Sequence, residues 1–167
     1  MTSLTHKQTM KTTSADIALE FIDRINSHDL ALLCGLITED HVLIDAQGRQ
    51  FHGKREMERS WRACFEWFPD YSIQVDQAFA NGNLAVITGC VMGTYLIHGR
   101  LSRENRWKTP SAWQATIRKE EIAEWRVYAD NEPIWKIMHE KRYAGGKPVQ
   151  REPAPFRQAL VNHRNAP

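Results

Sequence analysis

Between Leu84 and His98 the chain carries no Asp, Glu, Lys or Arg, and a histidine closes the run. A segment this apolar, with Val, Ile and Thr through it, reads as one long strand. It falls short of the ~20 residues needed to cross a bilayer, so no membrane span is expected. Asn81-Gly82-Asn83 just before it has the chemistry of a hairpin turn, which makes Tyr71–Phe79 its partner. There Tyr71, Ile73, Val75 and Phe79 fall on one face. Gly89 and Gly93 inside the long run mark bends or bulges, the device by which a sheet curls over a helix.

Strands continue downstream. A charged loop, Gly99–Arg106, leads into Trp107–Lys119, and a turn at Glu120-Glu121 leads into Ile122–Ala129. At period 2, Trp125, Val127 and Ala129 share one side, and Ile122, Glu124, Arg126, Tyr128 and Asp130 the other. Both sides carry an aromatic, so this run alone does not say which is core. Asp130-Asn131 ends the strand, and Pro133–Lys141 suits a closing helix.

Upstream the periodicity is helical. Thr13 or Ser14 can cap a helix whose Ile17, Ala18, Phe21, Ile22 and Ile25 recur at helical spacing. Asn26-Ser27-His28 breaks it, and Asp29 starts a shorter helix with Leu30, Leu33, Leu36 and Ile37 on one side. Thr38-Glu39-Asp40 ends that piece, His41–Ala46 is a short strand, and Gln47-Gly48-Arg49 is a turn. A third helix, about Lys54 to Phe68, carries Met57, Trp61, Cys64, Phe65 and Phe68 as an apolar stripe. Helices followed by antiparallel strands predict an α+β fold, a curved antiparallel sheet wrapped around the N-terminal helices. The open end of such a cone is a natural pocket for an apolar small molecule.

Composition narrows the function classes. A chain of 167 residues with 42% hydrophobic and 25% charged residues is an ordinary globular domain. We expect a flexible stretch over 1–13, the domain over 14–142, and a proline-rich tail or arm over 143–167. The net charge of +2 is dispersed, which argues against nucleic acid as a partner. The first residues lack the apolar core of a secretory signal. Cys34, Cys64 and Cys90 are odd in number and lie in apolar settings, so they read as core thiols of a reducing, cytoplasmic compartment. The seven histidines show no metal-ligand spacing, and no phosphate loop or G-x-S-x-G motif is present, so neither a metal nor another cofactor is expected.

Several stretches together resemble the SnoaL-like (polyketide cyclase-like) branch of the nuclear transport factor 2-like superfamily. They are SADIALEFIDRINSHDLALLCGLITEDHVLIDAQG, FHGKREM, VMGTYLIHG and IAEWRVYADN, in the family's order from about Ser14 to Asp130. The resemblance implies the cone fold but not one activity, because this fold hosts isomerases, cyclases, hydrolases, dehydratases and binding modules. Compared with ketosteroid isomerase, Asp45 stands where that relative has its carboxylate base. Phe21 and Ala112 stand where it has the two oxyanion donors, and neither side chain can donate. Compared with limonene-epoxide hydrolase, Val127 stands in place of a catalytic carboxylate.

The candidate catalytic residues are therefore Asp45, Asp130 and His98. Asp45 against an aromatic wall would serve as a proton-transferring base, and Asp130 as a second carboxylate of the same cavity. His98 would shuttle protons near neutral pH. Each has a plainer reading: Asp45 and Asp130 as turn formers bonded to nearby backbone, and His98 as a strand-end surface residue. Phe21, Trp61, Phe65, Trp113, Trp125 and Tyr128 are candidates to line a site for an apolar ligand, or simply to pack. Three functions follow: a cofactor-free isomerase, cyclase or lyase with Asp45 as base; a non-catalytic ligand-binding or dimerisation module; and a hydratase or epoxide-hydrolase-type enzyme using Asp130 and His98. A homodimer through the exposed sheet face is expected, since Trp107, Trp113 and Trp125 offer more apolar surface than one core readily covers.

Overall fold

A computed structural model describes residues 12–143 of the chain. The expected flexible start and proline-rich tail lie almost wholly outside the described residues. Two helices open the fold, α1 (Ser14–Ser27) and α2 (Leu30–Gly35). Strands β1 (Ile37–Ile44) and β2 (Gln50–His52) precede α3 (Lys54–Trp67). Then come β3 (Ser72–Asn81), β4 (Leu84–Thr94), β5 (Arg106–Arg118), β6 (Glu121–Ala129) and α4 (Glu132–Tyr143). The six strands form one sheet in the order β2-β1-β6-β5-β4-β3.

Local chemistry sets the helix ends. Thr13 caps α1, its hydroxyl oxygen accepting the Asp16 amide while the Asp16 carboxylate accepts the Thr13 amide at 2.8 Å. Ile17, Ala18, Phe21, Ile22 and Ile25 are all buried, and His28 ends the helix in the left-handed region with φ 56°. Asn26 then stitches α1 to the sheet. Its side chain donates to the Ile73 carbonyl at 2.9 Å and accepts the Ile73 amide at 2.7 Å, occupying backbone groups of the edge strand β3.

Two parts of the sheet differ from the sequence expectation. Ile37–Asp40 is strand rather than the end of α2, because the Ile122 amide donates to the Leu36 carbonyl and draws the segment onto β6. Moreover β1 runs parallel to β6, so the sheet is mixed, not wholly antiparallel. The remaining neighbours, β1·β2, β6·β5, β5·β4 and β4·β3, are antiparallel as expected.

Irregularities in register decide which side chains face inward. Ile117 pairs with Ile122 but Thr116 with Glu124, so β6 carries an extra residue there. That bulge puts Ile122 and Trp125 on the same buried face, where strict alternation would separate them. A second bulge lies in β3 between Val75 and Gln77, beside Gly89 of β4. A Cβ on Gly89 would stand 2.0 Å from the Gln74 carbonyl oxygen, so the close approach of β3 to β4 at the bulge requires glycine. Gly89→Ala should lower stability by about 1–3 kcal/mol or more in chemical denaturation; unchanged stability would show that the strands can part without cost.

At the irregular start of the β1·β6 pairing sits His41, fully buried. Its Nδ1 lies 2.8 Å from the Ile122 carbonyl oxygen, an acceptor, so Nδ1 carries the proton. Burial pushes the imidazole pKa below its usual value, against the opposing pull of the Ile122 carbonyl. The folded state thus refuses a proton that the unfolded chain accepts near pH 6.5, and His41's contribution to stability is lost as pH falls from there through the lowered folded value. His41→Gln should flatten the melting temperature against pH below about 6.5, relative to the wild type; parallel curves would exclude this role.

Candidate functional site

A cavity of about 130 Å³ lies between α3, the inner face of the sheet and the β1–β2 turn. Its wall is mainly aromatic: Trp61 and Phe68 from α3 and the residue after it, Tyr71 at the entry to β3, Trp107 and Trp113 from β5, and Trp125 from β6. Sequence periodicity accounts for most of this. Trp107 and Trp113 share the inward phase of β5, and Trp61 lies on the buried stripe of α3 with Met57 and Cys64. Val127 and Ala129 continue the Trp125 face to the cavity, so this is the side of β6 that faces inward.

Asp45, Gln47 and Arg49 of the β1–β2 turn and Asn131 close one end of the cavity. Gln47 is exposed, so that end reaches the surface. Asp45 is held on all sides. Its Oδ1 accepts the backbone amides of Gln47 and Arg49 at 2.9 and 3.0 Å. Its Oδ2 accepts Arg49 Nε at 2.7 Å and Arg49 Nη2 at 2.6 Å. A carboxylate has about four lone-pair sites, and four donors use them. Asp45 is thus both a turn former and a cavity-wall residue. Asp45→Ala should cost about 1–3 kcal/mol of stability through the abandoned Arg49 and amide donors; a denaturation midpoint equal to wild type would show the turn holds without the clamp.

Of the other candidates, Trp61, Trp113 and Trp125 line the cavity alongside Asp45. Phe21 is fully buried on α1, packing its ring edge to face with Trp125 at 4.9 Å, one layer behind the wall. Phe65 is half-buried and stacks on His28, ring centroids 4.1 Å apart. Tyr128 is 50% exposed, on the opposite face of the sheet, opposite Ala112. Asp130 accepts the Glu132 amide at 2.9 Å and so sets the entry to α4. His98 is exposed in the turn after β4, with φ 50°. None of these five is in the cavity wall.

Sequence reasoning passed over seven wall residues with polar groups: Gln47, Arg49 and Asn131 near the rim, and Ser60, Cys64, Tyr71 and Trp107. Tyr71 had been visible only as the first member of an alternating strand, and Cys64 as a core thiol. Burial pushes the Cys64 thiol up to about 12 and the Tyr71 phenol well above its usual range, the latter also disfavoured by nearby Cys64. Both are therefore neutral near pH 7. His28 fixes Tyr71 from behind, its Nε2 lying 2.8 Å from the Tyr71 carbonyl oxygen. Among the described residues no group of three or more His, Cys, Asp or Glu side chains is placed to hold a metal ion, and no helix is long and apolar enough to cross a membrane.

Helices packed against a curved, unclosed sheet form an α+β cone with the nuclear transport factor 2-like fold. The sequence pattern of the SnoaL-like domain matches residues 18–131, most of the chain, and the protein belongs to that family. Three solved structures share the fold. A candidate SnoaL-like polyketide cyclase from Shewanella denitrificans is 16% identical, with TM-score 0.66 over 76% of this chain and 97% of its own. IdmH, a candidate polyketide cyclase from Streptomyces antibioticus, is 19% identical, with TM-score 0.65 over 77% and 99%. A nuclear transport factor 2-like protein of unknown function from Cytophaga hutchinsonii is 18% identical, with TM-score 0.57 over 77% and 99%. No curated protein matches the chain.

Proposed function

We propose that this protein binds a small apolar molecule in the cavity between α3 and the inner sheet face. The observation that carries the reading is the wall itself: six aromatic side chains, Trp61, Phe68, Tyr71, Trp107, Trp113 and Trp125, enclose one space with a few polar groups at its rim. Four of them are indoles, an investment of large side chains that a filled core would not leave around a cavity. The polyketide cyclase names of two fold relatives fit a ring-shaped, weakly polar ligand.

A second reading has one observation in its favour. Asp45 is the acidic residue of the cavity wall, in the place where the isomerase relative carries its base. As a cofactor-free isomerase, cyclase or lyase the protein would use that carboxylate to remove a proton from an already acidic C–H. Its four engaged lone pairs mean that Arg49 must swing away before Asp45 can accept a proton. The hydrolase reading is not carried forward, because neither Asp130 nor His98 is in the cavity wall. Asp45→Asn separates the two: under the base reading it abolishes turnover of a ligand found by thermal-shift screening and leaves affinity within a few-fold. Recovery of every bound ligand unchanged from the wild type leaves binding alone.

We also propose a homodimer through the outer face of the sheet, although Trp107, Trp113 and Trp125, expected to supply its apolar surface, are buried on the inner side. Cross-strand register places Tyr128, Ala112 and Thr88 in one row and Arg126, Gln114, Val86 and Phe79 in the next. Tyr128 and Phe79 stand more than half exposed or close to it, at 50% and 56%. Light scattering should return twice the 19.3 kDa chain mass, and Tyr128→Glu should shift it toward the single-chain value. Scattering at the single-chain mass for wild type at tens of micromolar would exclude the dimer.

A further inference from the structure

The inner cavity wall holds hydrogen-bond donors that no described residue receives. The indole Nε1 atoms of Trp61 and Trp107 are buried with no acceptor among the described residues, and the two residues are only 8% and 4% exposed. Buried donors are nearly always paired, so two orphans in the wall of one cavity call for an acceptor. Tyr71 stands between them, its ring centroid 5.8 Å from that of Trp61 and 6.1 Å from that of Trp107. It is partly exposed and lines the cavity, and its neutral phenol is a third donor in the same wall.

The wall carries no net charge. Asp45 and Arg49 are its charged residues and they neutralise each other, while Cys64 and Tyr71 stay protonated near pH 7. A bare anion or cation among four indoles would lose its hydration with no counter-charge to replace it. Size adds the last constraint. An apolar cavity of about 150 Å³ holds one benzene ring, and this one measures about 130 Å³. A fused multi-ring skeleton does not fit inside it without extending past the rim at Gln47.

We infer that the ligand is a neutral, single-ring carbonyl compound whose oxygen accepts from the Tyr71 hydroxyl, with the indole N–H of Trp61 or Trp107 as second donor. The two indole nitrogens are buried in residues that line the cavity, so binding in this way turns one ring until its N–H reaches the same oxygen. This inference rests on the binding reading above and specifies its chemistry.

The test uses the full chain and three probes of one ring each: acetophenone, ethylbenzene and benzoate. Titration is followed by calorimetry and by the indole N–H resonances. Acetophenone should bind about tenfold tighter than ethylbenzene, the worth of a neutral hydrogen bond to otherwise unpaired donors, and benzoate more weakly than either. The Trp61 or Trp107 N–H resonance should move with acetophenone and not with ethylbenzene. Tyr71→Phe keeps the ring and its packing. It should remove most of the acetophenone preference and leave ethylbenzene affinity and the melting temperature unchanged. Equal binding of acetophenone and ethylbenzene overturns the donor assignment while the cavity reading stands. So does an equal loss for both probes in Tyr71→Phe, which would make the tyrosine a shaping residue only. Tightest binding by benzoate overturns the neutral class. If none of the three binds, this inference and the binding reading fall together.

Discussion

The structure depends on one requirement: a sheet anchored along β4, β5 and β6 must bend far enough to close over α1 and α3. The inner residues of β5, from Trp107 through Trp113 to Ile117, are buried in strict alternation, so the strand cannot slip by one residue without exposing its tryptophans. Bending comes from the two bulges and from Gly89, where β3 approaches β4 too closely for any side chain. Gly93 gives a second relief point, with Trp107 and Phe68 packed against its backbone. The aromatic residues that terminate α3 and begin β3 thereby arrive opposite the tryptophans of β5 and β6. The cavity is the space those large, rigid rings leave.

Electrostatics divides that cavity into two regions. The rim is a closed ionic clip in which one turn satisfies its own aspartate with its own arginine and two backbone amides. The interior is neutral, with thiol and phenol both held protonated by burial. Such an interior favours ligands by shape and by single hydrogen bonds rather than by charge. It also explains why the rim aspartate is not simply a carboxylate in an apolar pocket: Arg49 reaches it from four residues away and fills the same lone pairs that a base would use.

Much of the fold was legible in residues. The capping chemistry before Ser14, the stripe of α3 and the Asn81-Gly82-Asn83 turn correspond closely to observed elements. The site was less legible. Trp61, Trp113, Trp125 and Asp45 reach the cavity wall, whereas Tyr128 falls on the far face, because the sequence of β6 carries aromatics in both phases. Tyr71 escaped notice as a polar group since, on paper, a tyrosine opening an alternating strand is simply one of its apolar members.

What the sequence alone determined is the class of architecture and its phase: helices first, then strands, each with its apolar residues at the period of its own backbone. That is local information, carried by side-chain periodicity and turn chemistry. Tertiary structure decided the rest. The parallel pairing of β1 with β6 joins segments far apart in the chain, so no local pattern encodes it. The bulge that brings Ile122 and Trp125 to one face depends on the register of a neighbouring strand. Which aromatics wall a cavity and which fill a core depends on how far the sheet bends, a sum over many contacts that no single stretch contains.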